Sequence, residues 1–408
     1  VITDQTAKAV IELLGRKYPN TKIVFSKAKN VNDFKNKFNL FKCRETNDLH
    51  HARDAYLNVV VGNVYDTVFS TPIAMFRQDG DAWRTYNLKK LFTRDVAGAW
   101  NEDIRKIVLD TFAKHSMMVT RYATCNKGMF YDQTVYEKGD SCITAPRKGA
   151  GPLSDYSKYG GYSSQKTAYF AIVSSIGKKG KPIKTIEAIP ILVDYRSKAD
   201  SNAIIKYLKA KLNQPEIIIS KLKNKQLVSY NGTLGYLAGV TDSRIYLHNA
   251  NQLFTDNKTD EYVCALLKLL DMDSKNMVAH DEIEYVIKTN RNGERKLVIT
   301  KESNIELYDA LRNKLGNTIY SGLSAFKSLK ENLDDGIEKF INLSIIDQAK
   351  VIIQILKAFK NNAETANVAL IGGSPAGGLL RINKNITDVD FKIIDLSPAG
   401  LTQRIRKV

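Results

Sequence analysis

The sequence has little cysteine, little histidine and no long apolar run. Its four cysteines, Cys43, Cys125, Cys142 and Cys264, lie far apart with no CxxC spacing, and only five histidines accompany them. Zinc sites pair their ligands at about two to four residues, so neither a zinc site nor a disulfide framework is implied. Scattered thiols of this kind suit a reducing cytoplasm. No segment approaches the roughly eighteen apolar residues of a membrane-spanning helix, and none concentrates basic charge on one amphipathic face. Repeats and low-complexity tracts are also missing. The glycines at 372, 373, 377 and 378 are not followed by Gly-Lys-Ser/Thr, which excludes a nucleotide-binding P-loop.

What the chain does have is length and positive charge. With 408 residues and 43% hydrophobic content it can bury two or three separate cores. Lys plus Arg number 61 against 43 Asp plus Glu, a formal charge of +18. The basic residues are spread over the whole length, which favours a polyanionic partner and, with membrane disfavoured, nucleic acid. The chain starts at Val1, and its opening residues Ala7, Val10, Ile11 and Leu14 have helical spacing rather than a signal-peptide run. The expectation is a piece of a longer polypeptide.

Along the chain, Lys22-Ile23-Val24-Phe25-Ser26 reads as a short strand. Thr46 or Asn47 can then cap a helix through Leu49, Ala52, Ala55, Tyr56, Val59 and Val60. A helix is expected over Glu102–Ala113, followed by a strand-like stretch at 117–124. Residues 168–175 and 183–193 read as strands joined by a basic hairpin tip at 177–181. Residues 261–270 should be helical, and Ser303 with Glu306 forms a capping-box pattern for a helix that Gly316 can end. Ile345, Ala349, Ile352, Ile353, Leu356 and Phe359 make one stripe of a core-facing helix over 344–360. The last forty or so residues read as short strands and turns.

The chemistry concentrates in His50-His51-Ala52-Arg53-Asp54-Ala55-Tyr56-Leu57. His51 and Asp54 are three apart in a helix and so project from one face. A carboxylate is the hard ligand that Mg2+ prefers, and a neutral imidazole beside it can take a proton from water. That is half of a phosphodiesterase site. Taken alone, an HxxD pair on a helix is more often solvated or structural.

This segment resembles the third RuvC motif of the type II CRISPR RNA-guided DNA endonucleases. The resemblance continues through Thr21-Lys22-Ile23-Val24, Cys43-Arg44-Glu45 and Asn58-Val59-Val60-Val61-Gly62, and farther on through Lys158-Tyr159-Gly160-Gly161-Tyr162 and Thr167-Ala168-Tyr169. It implies an α+β, multidomain protein. The expected parts are an incomplete RNase H-like (RuvC) fragment over 1–127, a β-rich wedge over 128–230 and a mixed α/β PAM-interacting domain over 231–408, the PAM being the protospacer-adjacent motif. It makes His51 the catalytic histidine and Asp54 a metal-binding acid, with His51 also at the metal, in a Mg2+- or Mn2+-dependent endonuclease that cuts the non-target strand. The remaining ligands would come from other segments, so the chain alone should not cleave.

In this class guide pairing supplies sequence specificity while the protein reads only the short PAM. The segment Gly128-Met129-Phe130-Tyr131-Asp132-Gln133-Thr134 resembles the phosphate-lock loop, which makes Gln133 and Thr134 phosphate-binding candidates, with Ser164 as a further nucleic-acid contact. Arg381 matches the second of two PAM-reading arginines, while the first position holds Leu379, which cannot donate to guanine. Asn383 and Lys384 are the neighbouring alternative readers, and Asp242 matches an acid that braces the arginine. The implied partners are guide RNA (crRNA with tracrRNA), target DNA and the PAM duplex, with anti-CRISPR proteins a further class, for a monomeric bacterial cytoplasmic effector with no membrane partner. Two alternatives stay open: a basic nucleic-acid-binding protein without nuclease activity, and a stand-alone RNase H-like nuclease. The lack of a strand-borne carboxylate pattern among Asp4, Glu12, Asp33 and Glu45 counts against the second.

Overall fold

The computed structural model describes residues 2–69, 76–79, 82–85, 91–113, 120–131, 165–241, 243–250, 253–316, 324–360, 365–398 and 400–408. In chain order the elements are α1 (Ile2–Lys17), α2 (Ala28–Lys37), α3 (His50–Val68), β1 (Phe76–Asp79), β2 (Ala82–Thr85), α4 (Glu102–Ala113), β3 (Thr167–Ile176), β4 (Pro182–Pro190), α5 (Ile191–Arg196) and α6 (Ala203–Lys209). Then follow β5 (Glu216–Leu222), β6 (Leu227–Tyr230), β7 (Thr233–Val240), β8 (Arg244–Asn249), α7 (Asn257–Ser274), β9 (Glu284–Lys288), β10 (Lys296–Thr300) and α8 (Lys301–Gly316). The chain finishes with α9 (Ser324–Asp335), α10 (Ile337–Asn342), α11 (Ile345–Phe359), β11 (Thr365–Ala366), β12 (Ala376–Gly377), β13 (Leu380–Asn383), β14 (Phe391–Leu396) and β15 (Gln403–Lys407). The class is mixed α and β, as expected. Packing gathers Val1–Met117, Phe254–Val278 and Glu284–Ile299 into one unit, and Met118–Leu253, Ala279–Ile283 and Thr300–Val408 into a second.

The core of the first unit forms where α2 sets Val31 and Phe34 against Leu57, Val61 and Val64 of α3. Phe34 meets Phe92 and Trp100 edge-on, with ring centroids 4.8 and 5.6 Å apart. Each such ring pair adds about 0.5–1.5 kcal/mol beyond its buried area. Asn101 caps α4 by accepting from the Ile104 amide at 2.8 Å. Residues 22–26 do not form the expected strand. They make no strand pairing with any described residue, and Val24 and Phe25 are exposed; a strand lacking a partner leaves its backbone groups to water and gains nothing from alternation.

Among the described residues the second unit carries two larger sheets of antiparallel strands and the short β11–β12 pair. One has the order β4-β3-β5 and the other β13-β8-β7-β6-β14-β15. The β3–β4 hairpin closes through the Gly177 amide donating to Lys181 O at 2.9 Å, leaving Lys178, Lys179 and Lys181 exposed at its tip. The strand expected to reach residue 193 ends at Pro190. That proline, at φ −64 and ψ 149, begins α5 instead, because it supplies no amide to extend a ladder yet suits the start of a helix. Among the helices, Tyr308 of α8 stacks on Phe340 of α10 at 4.0 Å, and α11 buries its whole predicted stripe. The α8 cap is not Ser303: the Thr300 hydroxyl accepts from the Ser303 amide at 3.2 Å, since β10 runs straight into the helix and puts Thr300 at the cap position. Of the stretch expected as a strand at 117–124, residues 120–124 form no strand and make a single bridge from Thr124 to Asn224, and the remainder lies outside the described residues.

Candidate functional site

The first candidate site sits at the start of α3. The expected cap at Thr46 or Asn47 is not made: the helix begins at His50 with Leu49 at the cap position and no side-chain cap bond, and Asn47 instead accepts from the Leu49 amide at 3.0 Å in a turn just ahead of it. His50 is buried, its Nδ1 lies 3.1 Å from Asn47 O, and burial pulls its pKa down. His51 is exposed, with its ring against that of His50 at 4.1 Å.

Asp54, half-buried one turn on, has its two oxygens taken by lysines. Lys35 Nζ donates to Oδ1 at 2.8 Å and Lys42 Nζ donates to Oδ2. Burial pushes the Asp54 carboxyl up, but the hydrogen bonds and charges of these two ammonium groups outweigh it and hold it below the usual carboxylate range. Asp54 therefore stays ionised, as a metal ligand must. The residues at hand nonetheless do not make a divalent-metal site. No group of three His, Cys, Asp or Glu side chains comes together among the described residues, and lysines occupy both oxygens that a cation would need. By themselves the described residues therefore do not hold a divalent cation.

Arg53, the residue before Asp54, points the other way. It is buried, lies over the Phe112 ring at 4.6 Å, and donates from Nη1 to Asp260 Oδ2 at 3.2 Å. Asp260 is 1% exposed on α7 and also accepts from Thr46 at 3.0 Å and Thr255 at 2.7 Å. Burial still pushes its carboxyl up, with those hydrogen bonds and Arg53 only partly offsetting it.

The second candidate site is the edge strand β13. Arg381 and Asn383 alternate outward while Leu380 is buried. In register, Arg381 faces Tyr246 and Asn383 faces Arg244 on β8. The Arg381 guanidinium lies over the Tyr246 ring at 5.8 Å, which holds a planar donor in place at an exposed edge. Lys384 turns inward. Its ammonium lies 2.7 Å from Glu187 and is only 13% exposed, which anchors the end of β13 rather than displaying a donor. Two backbone bonds reinforce the anchor: the Ile386 amide to Lys184 O at 2.9 Å and the Ile186 amide to Lys384 O at 3.4 Å. Gln133, Thr134, Ser164 and Asp242 lie outside the described residues.

Sequence reasoning did not identify Lys35, Lys42, Glu187 or Asp260. The lysines come from separate segments and carry no local signal. Asp260 did carry one, since an acid three residues before Val263 interrupts the buried stripe of α7. No helix among the described residues is long and apolar enough to cross a membrane.

Comparison with known proteins matches residues 4–97 to the Cas9 RuvC domain and residues 127–404 to the PAM-interacting domain of CRISPR-associated endonuclease Cas9. The chain is 29% identical over 212 residues to CRISPR-associated endonuclease Cas9 of Streptococcus mutans serotype c, covering 46% of this chain and 16% of that protein. It is 27% identical over 286 residues to the protein of the same name from Listeria innocua serovar 6a, covering 61% of this chain and 21% of that protein. The chain thus spans about a fifth or less of the length of these relatives. The matches to the RuvC and PAM-interacting domains, one over the Asp54 helix and the other over the Arg381 strand, show that it belongs to the CRISPR-associated endonuclease Cas9 family.

Proposed function

We propose that this chain works as the carboxy-terminal part of a bacterial, cytoplasmic RNA-guided DNA endonuclease, reading the PAM duplex and contributing one segment of a RuvC nuclease centre. The observation that carries the proposal is the display of Arg381 and Asn383 on one exposed face of an edge strand that is anchored at its Lys384 end. A guanidinium presents a planar fork to guanine O6 and N7 in the major groove, and a carboxamide pairs in the same two-pronged way with adenine. Lys384 is better suited to holding this strand than to reading a base. Gln133, Thr134 and Ser164 are proposed phosphate or backbone contacts, with Asp242 a brace for Arg381. Guide RNA, target DNA and anti-CRISPR proteins are the proposed partners.

Arg381→Ala is expected to weaken PAM-dependent binding by about 1–3 kcal/mol, one bidentate base contact, and to leave sequence-independent binding nearly unchanged. A PAM-depletion assay checks this, and an unaltered motif would remove Arg381 from the reading role.

In the proposed nuclease centre Asp54 would be one ligand of Mg2+ or Mn2+, joined by acids that are not among the described residues, and His51 would be the group that accepts a proton from attacking water. On this reading the chain by itself leaves plasmid DNA intact in Mg2+, because no group of three metal-binding side chains comes together among the described residues. Nicking by the purified chain that disappears in Asp54→Ala would contradict that.

A further inference from the structure

Helix α7 lies within the sequence matched to the PAM-interacting domain, yet it packs in the same unit as the helix that carries His51 and Asp54. Its contacts with that part of the unit converge on residues 39–53. Asn257 donates to Asn39 O at 2.9 Å and accepts from the Phe41 amide at 3.0 Å. Cys264 Sγ donates to Lys42 O at 3.6 Å. Asp260 takes Thr46 through one oxygen and Arg53 through the other. Lys42 is one of the two lysines on the Asp54 carboxylate, and Arg53 precedes Asp54 in the chain.

We propose that Asp260 is a positioning residue for the nuclease centre: through Arg53 and Thr46 it fixes the first turn of α3, and with it the direction of the Asp54 carboxylate. This rests on the assignment of Asp54 to that centre. The physical case begins with cost. A carboxylate with 1% exposure is expensive to bury, and an apolar pair of similar volume would pack at least as well. What an ion pair adds over an apolar contact is direction. Two carboxylate oxygens, each committed to a different partner, fix both the residues leading into α3 and the rotation of its first turn. The α7 brace also couples the two halves of the family sequence. A shift of α7 displaces the loop backbone at Lys42 and the Arg53 guanidinium together, on either side of Asp54.

The test uses the full-length effector with guide RNA and Mg2+ on a PAM-bearing duplex labelled on both strands, under single-turnover conditions. Asp260→Asn should slow cutting of the Asp54-dependent strand roughly 10- to 100-fold, the scale of a misplaced catalytic group. The other strand's rate, the PAM-duplex affinity and the reaction amplitude should stay as in the unaltered protein. A residue needed only for folding would lower the amplitude on both strands together and leave the rate of the surviving molecules unchanged; that result overturns the proposal. If Asp260→Asn fails to assemble, Thr46→Val removes one of the two directional contacts and should slow the same strand several-fold, and an unchanged rate there overturns it equally. Failure of the parent assignment looks different, because Asp54→Ala would itself leave both strands cut at the normal rate.

Discussion

Arg53→Met in the full-length protein is expected to loosen α3 by about 3–5 kcal/mol, the cost of leaving one partner of a buried ion pair uncompensated. Asp260 is 1% exposed and would retain only the Thr46 and Thr255 hydroxyls as donors. Neutral hydroxyls do not replace a charged fork. Methionine keeps much of the contact with Phe112, so the loss should come from the stranded carboxylate rather than from a cavity.

A protein with several packing units does not unfold in one step. The suitable measurement is therefore amide hydrogen exchange across residues 50–68, which should quicken by roughly a hundred-fold or more. The sign of the pH effect follows from Asp260, whose carboxyl burial already raises. A carboxyl with a raised folded pKa binds more protons folded than unfolded, so its destabilising charge is felt above that pKa and relieved as pH falls through it. The deficit of Arg53→Met should accordingly shrink on acidification. The double replacement Arg53→Met with Asp260→Leu should recover most of the protection, because an apolar pair carries no desolvation cost. Protection in Arg53→Met equal to that of the unaltered protein would show that the pair contributes nothing to holding the helix.

The sequence disclosed the elements whose signals are local. The His51/Asp54 helix, Glu102–Ala113, the β3–β4 hairpin with its lysine tip and the apolar stripe of α11 all declared themselves through spacing, caps or turn residues. The errors came where a neighbour decides. Residues 22–26 have strand composition and, among the described residues, no strand paired with them. Pro190 converts the end of β4 into the start of α5. Thr300 displaces Ser303 as the α8 cap because a strand ends where that helix begins.

The site divides in the same way. His51, Asp54, Arg381 and Asn383 could be named from motifs, but what holds them could not. Lys35 and Lys42 reach Asp54 from different segments, and Glu187 meets Lys384 across nearly two hundred residues of sequence. The brace between Arg53 and Asp260 was half-legible. Each is a charge set on an otherwise apolar helical stripe, beside Leu57 and Val61 in one case and Val263 and Leu266 in the other. A buried charge requires a partner, and two such interruptions of opposite sign in one chain are candidates to meet.

On the proposed reading α3 carries catalytic chemistry and not only structure. Asp54 stays ionised although partly buried, at the expense of two lysines, and a carboxylate kept in that form is one a cation can claim once the other acidic ligands are in place. Losing it would remove several kcal/mol of transition-state stabilisation, about 10^3-fold or more in rate. His51→Ala should cost about 10^2- to 10^4-fold, as a lost general base does. Strand-resolved cleavage of a doubly labelled PAM-bearing duplex by the full-length Asp54→Ala effector decides the matter. The predicted result is a product nicked in one strand only, with the second strand cut at its normal rate; both strands cut at full rate would mean that this helix takes no part in catalysis.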